Sequence, residues 1–186
     1  MFLQRHGESE TNISKVFTCR KLDPDLTERG KRQIEDKAYF YKPLGIQKIV
    51  TSPSRRAIQS AEILGRVLNI GFTDDEALLE VDVGDLERKS ELVPEHIGLF
   101  FKILNDWLYK GMNTRFPNGE SKEEVESRIE RAISSLSPLT ILIGHVTFFA
   151  VLLWKFKMPF NEVKELFLPR GGTAQYFKDK NEWKIF

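Results

Sequence analysis

Three short apolar runs in this chain end on residues able to handle an anion. Arg5 and His6 follow Met1 to Gln4, Ser52 to Arg56 follow Ile46 to Thr51, and Gly144-His145 end the run that starts at Leu139. Arginine carries a planar fork that can donate two bonds to one phosphoryl group. Backbone N–H groups at a helix start add to such a site, which suits phosphate best. A neutral histidine ring nitrogen placed there can attack phosphorus and hold it as phosphohistidine. The leaving alcohol then needs an acid, usually a carboxyl group. A lone histidine at a strand end also has a purely structural reading, so the chemistry depends on the three stretches converging.

The elements around them predict that convergence. Met1 to Gln4 reads as a strand stopping at Arg5, and Glu8 to Asp25 as loop. Thr27 is a credible N-cap for a helix to about Phe40, followed by a strand over Ile46 to Thr51. Ser52-Pro53 has the form of a helix start, an N-cap hydroxyl followed by proline. That helix runs to about Leu68, with Ala57, Ile58, Ala61, Leu64, Gly65 and Leu68 on one face. A short strand over Ile70 to Thr73 and an irregular stretch from Ala77 to Glu87 come next. A helix is expected over Pro94 to Tyr109, then a loop at Phe116 to Gly119.

Ser121 and Glu124 form a capping box ahead of a helix whose apolar face is Val125, Ile129, Ala132, Ile133 and Leu136. Leu139 to Gly144 is apolar on both faces, like a central parallel strand, and Val146 to Phe156 is a buried helix. Thr173 to Phe177 and Glu182 to Phe186 suggest a late hairpin around Asp179-Lys180-Asn181. The expected architecture is an α/β three-layer sandwich, with a mostly parallel central sheet and helices on both faces. Residues 1–186 form one domain in this reading, with a small helical cap inserted at about 87–118. Ligands in such sheets sit beyond the carboxyl ends of the strands, which places the three anion-handling stretches at one edge.

Composition narrows the function. The 186 residues are 41% hydrophobic and 30% charged, which excludes disorder as a description of the whole chain. Lys and Arg number 28 against 27 Asp and Glu, a net charge of +1, so nucleic acid is not the expected partner. Cys19 is the only cysteine, which excludes an intrachain disulfide and a cysteine cage for a metal. Three histidines are few for a metal site as well. No signal peptide is visible at the N-terminus. The most apolar stretch, Leu139 to Trp154, is short for a membrane span. A cytoplasmic protein with no membrane partner is expected, and a homodimer stays open.

Residues 5 to 12, RHGESETN, resemble the signature of the histidine phosphatase superfamily, the phosphoglycerate mutase-like group. Further segments are similar to that family in order. They are Phe17-Thr18, Asp25 to Gly30, residues 51 to 64 (TSPSRRAIQSAEIL), residues 78 to 87 (LLEVDVGDLE), Pro117 to Ser121, and ILIGH before His145. The resemblance runs from residue 2 to about 178. It implies His6 as nucleophile, with Arg5, Arg56 and His145 holding the phosphoryl oxygens and Asn12 and Thr18 adding hydrogen bonds. Spacing within the motif selects Arg56 over Arg55, and Glu80 over Glu76 and Glu87. Glu80 would give a proton to the leaving group and then serve as base for water. No metal and no other cofactor are implied.

Departures from the family pattern are Val146 where glycine is usual, Cys19 in the phosphate loop, and a missing W-E-G in the Gly84 to Glu87 segment. The chain is similar to the short phosphatase branch, which includes α-ribazole phosphatases and broad-specificity phosphatases. Cofactor-dependent mutases of the family are longer and carry paired arginines in the insertion, where this chain has only Arg88 and Arg115, far apart. The expected activity is metal-independent hydrolysis of a small phosphorylated metabolite. A phosphoglycerate mutase is the alternative enzyme, and a phosphate-ligand binding module the alternative without turnover.

Overall fold

The computed structural model describes residues 1–134, 137–177, 180 and 182–186. β1 (Phe2–Arg5) is followed by α1 (Glu10–Ser14) and α2 (Glu28–Tyr41). β2 (Lys48–Thr51), α3 (Arg55–Leu68) and β3 (Phe72–Asp74) make the next unit. α4 (Pro94–Leu108) and α5 (Lys122–Ile133) lead to β4 (Thr140–Gly144) and α6 (Val146–Lys155). The chain ends with β5 (Thr173–Phe177) and β6 (Glu182–Ile185).

The sheet order is β3-β2-β4-β1-β5-β6. The first four strands in that order pair in parallel, and β5 and β6 pair antiparallel at the far edge. All five residues of β4 are buried, as expected for a strand covered on both faces. Alternation along the strands separates two cores. Phe2, Ile49, Ile141 and Ile143 face α2 and α3 with Ile34, Ala38, Ala61 and Leu64. Leu3, Val50 and Leu142 face the other layer, where Leu104, Ile129 and Phe149 of α4, α5 and α6 pack. The result is the expected three-layer α/β sandwich.

Local chemistry explains the helix starts. Thr27 accepts a hydrogen bond from Gly30 N, and Ser121 with Glu124 closes the capping box ahead of α5. Several boundaries differ from the sequence reading, among them the start of β2, at Lys48 rather than Ile46. The Ser9 to Asp25 stretch is not all loop, because Ser9 and Asn12 form a capping box for the short α1. α3 starts at Arg55 behind Ser54, two residues later than Ser52-Pro53 suggested. β3 starts at Phe72 because Asn69 ends α3 in a left-handed conformation (φ 57°) and Ile70 N still bonds Gly65 O. Leu136 and most of the expected turn at 179–181 lie outside the described residues.

Two parts of this fold position the site. The carboxyl ends of β1, β2 and β4 lie side by side, with Arg5 opposite Gly144 and Thr51 opposite Ile143. Residues 87–118, read as a cap, run back over them. Phe17 N bonds Lys89 O, Arg88 N bonds Phe17 O, and Phe100 of α4 lies 5.2 Å from the Phe17 ring.

Candidate active site

His6 leaves the end of β1 with its backbone fixed on both sides: its N–H donates to Gly144 O and its carbonyl accepts from Gly171 N. The glycine after it permits a backbone contact. A Cβ on Gly7 would lie 2.3 Å from Gly30 O, and one on Gly30 would lie 2.0 Å from Glu8 O. The two glycines of separate motifs therefore let the His6 loop and the start of α2 touch. His6 Nδ1 donates to Gly7 O at 2.7 Å, so Nε2 carries the lone pair. Burial, followed by the charges of Arg56 and Arg5, holds the His6 pKa well below its ordinary value. The ring is a neutral nucleophile with its unprotonated Nε2 fixed in place.

Arg56 is the second residue of α3 and is 2% exposed. Its Nε donates to His6 Nε2 at 3.3 Å and its Nη2 bonds His145 Nδ1 at 3.1 Å. Arg55 points away, with its side chain 61% exposed and paired to Asp25. His145 is the N-cap residue of α6, and its ring lies 5.3 Å from that of His6. Since Nδ1 accepts from Arg56, Nε2 donates to Ser52 Oγ at 2.8 Å, with Ser54 Oγ 3.2 Å away. Burial, and then the charge of Arg56, keep His145 neutral as well, its pKa well below the usual value.

Arg5, Asn12, Thr18 and Glu80 line the same cavity, about 230 Å³ in volume. Arg5 Nη1 donates to Leu168 O at 2.7 Å, and burial lowers its pKa to about 10. Asn12 uses Oδ1 to cap α1, which leaves its amide N–H groups to offer a ligand. Thr18 Oγ1 donates to Val16 O at 3.1 Å, so in this arrangement its hydroxyl can accept but not donate. The Glu80 carboxylate takes the N–H groups of Val81 and Phe148 at 2.8 and 2.9 Å and of Thr147 at 3.2 Å. Glu80 thus sits at the N-terminus of α6, beside the residue that carries the second histidine. All seven residues singled out from the sequence border one another or this cavity.

Other functional contacts escaped the sequence reading. Ser52 and Ser54 orient His145, and only their place after a strand hinted at this. Arg170, just before Gly171-Gly172, lines the cavity and bonds Glu8 Oε2 at 3.4 Å and Asn12 O at 3.3 Å. Glu87 Oε1 accepts the N–H groups of Cys19, Arg20, Lys21 and Leu22, fixing the loop after Thr18. Burial raises the Glu87 pKa, but the Cys19 thiol and these N–H donors outweigh it and the net shift is downward. Cys19, Asp82 and Glu87 bring potential metal ligands within 4.8 Å of one another. Glu87 is already engaged by the loop, and burial pushes the Cys19 thiol pKa well up, so the donor set does not favour a cation.

Behind Glu80 lies a buried ionic network. Arg128 of α5 makes a fork to both Glu120 oxygens, at 2.7 and 2.8 Å, and Arg20 reaches Glu120 at 2.8 Å. Arg128 Nη1 also donates to the carbonyls of Ala77 and Leu79, and Arg20 Nε to that of Glu80 at 3.4 Å. Glu120 Oε2 takes Asp82 N at 2.9 Å. Burial raises the Glu120 pKa, and the Arg128 hydrogen bonds and charge bring it below its ordinary value. Gly84 (φ 55°) and Gly119 let the two strips meet, since a Cβ on Gly84 would lie 2.0 Å from Pro117 O.

The comparisons with known proteins agree with this geometry. A protein from Cronobacter sakazakii named "Probable phosphoglycerate mutase GpmB" is 32% identical over 154 residues, which is 78% of this chain and 68% of that protein. A mycobacterial glucosyl-3-phosphoglycerate phosphatase in complex with VO3 superposes over 100% of this chain and 96% of its own, at 20% identity and TM-score 0.76. An α-ribazole phosphatase from Shigella flexneri covers 100% and 93%, at 20% identity and TM-score 0.72. Both structural likenesses establish the fold. The family model for the histidine phosphatase superfamily (branch 1) matches residues 1–183, and with His6, Arg56 and His145 in mutual contact the chain belongs to that superfamily.

Proposed function

We propose that this chain is a metal-independent phosphomonoesterase that hydrolyses a small phosphorylated metabolite through a phosphohistidine on His6. One observation carries the reading. Two nitrogens of arginines that line the cavity with His6, Arg5 Nε and Arg56 Nη1, are buried without a hydrogen-bond partner among the described residues, Nη1 lying 3.8 Å from the Asp23 carboxylate. Buried N–H groups cost free energy when unpaired, and phosphoryl oxygens would satisfy them. Nε2 of His6 attacks phosphorus and the ester P–O bond breaks. The alcohol departs with a proton from the acid form of Glu80. Water then attacks the phosphohistidine, gives its proton to Glu80 and releases phosphate, returning His6 to its neutral state. Arg5 and Arg56 offset charge on the equatorial oxygens throughout, which is the larger part of catalysis in phosphoryl transfer, while neutral His145, its one N–H given to Ser52, holds Arg56 in place.

The names of the relatives favour a second reading, a mutase, in which an alcohol rather than water takes the phosphoryl group. A panel of phosphate esters assayed with EDTA present tests the proposal. Turnover should persist in EDTA, an acid-labile, base-stable phosphoenzyme should be trappable, and His6→Ala should lose both. Full activity in His6→Ala, or loss of activity to EDTA, would overturn it. Phosphate binding without turnover would mark a binding module instead.

A further inference from the structure

The cavity has a second end that the phosphoryl chemistry does not use. Val16, Ile97, Phe101, Val146 and Phe167 line it, and each remains partly exposed. Apolar side chains left open inside a concave site mark a binding surface. Its aromatic members form a wall: the Phe101 and Phe167 rings stack at 6.1 Å and 20°, and buried Phe100 lies 5.4 Å from Phe101 and 6.4 Å from Phe167. Val146, in the first turn of α6, lines the same cavity.

The charges of the lining point the same way. Three arginines line the cavity. Arg5 and Arg56 belong to the phosphoryl end, and Arg170 is already bonded to Glu8 and to Asn12 O. The remaining acidic residue of the lining besides Glu80 is Glu91, which disfavours a second negative charge on the ligand. There is room for a ring as well. An apolar cavity of roughly 150 Å³ holds a benzene molecule, so about 230 Å³ admits a phosphoryl group and one ring-sized substituent. The apolar surface continues at the mouth. Ile13 and Leu92 are 64% and 73% exposed, each next to a lining residue, on segments joined by the Glu91 N to Lys15 O bond.

We infer that the substrate is a phosphate ester of an uncharged alcohol with an apolar portion, aromatic or branched aliphatic, rather than of a carboxylate-bearing one. This inference rests on the phosphatase reading above and names the substrate class of that site. The wall acts on the leaving group, so the test must hold the leaving-group basicity nearly constant. 2-Phenylethyl phosphate and ethyl phosphate are both primary alkyl esters, and 3-phosphoglycerate supplies the charged comparison.

The phenylethyl ester should show kcat/KM about 10- to 100-fold above the ethyl ester, the range expected for burying one large apolar group. 3-Phosphoglycerate should fall below both. Phe101→Ala should cut the phenylethyl-to-ethyl ratio about 5-fold or more. A wild-type ratio near one, or a preference for 3-phosphoglycerate, would overturn the inference while leaving the phosphatase reading standing. Calorimetric Kd values for 2-phenylethylphosphonate and ethylphosphonate give the same ratio without turnover. A protein that hydrolyses nothing yet binds the phenylethyl ligand more tightly would sink the phosphatase reading and support the apolar wall. Equal Kd values would sink the wall.

Discussion

The nucleophile and the acid reach the same cavity by different means. His6 and His145 stand at the ends of β1 and β4, where sheet hydrogen bonds already fix the backbone, and their rings are set by Gly7 O, Ser52 and Arg56. Glu80 stands in an irregular strip between two 3₁₀ turns, where no sheet satisfies the carbonyls. The ionic network of Arg20, Glu120 and Arg128 takes over that task, gripping the strip at residues 77, 79, 80 and 82. A sheet can place a residue by topology alone, whereas an irregular strip needs side chains brought from elsewhere in the chain.

Removing the reacting group from each side sharpens the contrast most. Glu80→Gln should slow alkyl phosphate hydrolysis by about 100- to 10,000-fold, the usual span for a general acid, and p-nitrophenyl phosphate hydrolysis far less. A nitrophenolate leaves readily without a proton. Arg56→Ala should cost on the order of 100-fold in kcat/KM on both substrates alike, because it serves the phosphoryl group rather than the alcohol. Arg55→Ala should stay within a few-fold. Steady-state rates on the two substrates decide this, and equal losses for Glu80→Gln on both would remove Glu80 from the leaving-group step.

Breaking the network tests how the acid side is held. Arg128→Met leaves Glu120 buried without its fork and frees the Ala77 and Leu79 carbonyls, which should cost about 3–5 kcal/mol in urea unfolding. The double variant Arg128→Met/Glu120→Leu removes both charges and should recover part of that loss. If the network positions Glu80, Arg128→Met should also lower alkyl phosphate turnover more than p-nitrophenyl phosphate turnover. Losses equal on both substrates would assign the network to stability alone.

The same contrast explains what the sequence made legible. The strand-end residues were readable because an apolar run fixes a strand and the next residue must emerge at its carboxyl edge. Arg56 was separable from Arg55 through the family motif's spacing to Ala57, Gln59 and Ala61, and in the structure it lies with Ala57, Ser60 and Ala61 among the buried residues of α3. The start of α3 was misread because Ser52-Pro53 has the local form of a cap, while the Ser52 hydroxyl is in fact engaged with His145 across the sheet. α1 has five residues, too few to show a period or to nucleate alone, and stands on the Ser9–Asn12 capping box. The Arg128 network left no trace because its partners come from segments whose spacing means nothing until α5 packs behind the Glu80 strip. The apolar wall was illegible for the same reason: Val16, Phe101, Val146 and Phe167 belong to four segments.

Acid should separate the two sides in sequence, with the smallest effect of the set. His6 and His145 are buried neutral in the folded chain, with pKa values held well below 6.5 chiefly by desolvation and then by Arg56. In the unfolded chain they take up protons below about 6.5. The unfolded state then binds more protons than the folded one, so stability falls as pH drops through that value. The slope is at most about 1.4 kcal/mol per pH unit for each histidine. Glu87 and Glu120 behave oppositely in position. Their folded pKa values lie below the ordinary 4.5, so the stability they contribute is present above 4.5 and is lost only as pH falls further, through those lowered values. The window from about 6.5 to 5 therefore reports the nucleophile side ahead of the carboxylates, over a background from the Met1 amine, which burial holds below its ordinary 8.0 and which a His145 variant leaves in place. Unfolding free energies measured across it should fall with pH, and His145→Gln should roughly halve the slope by removing one of the two titrating rings. An unchanged slope in His145→Gln would show that His145 titrates alike in both states, and that Arg56 does not hold it neutral.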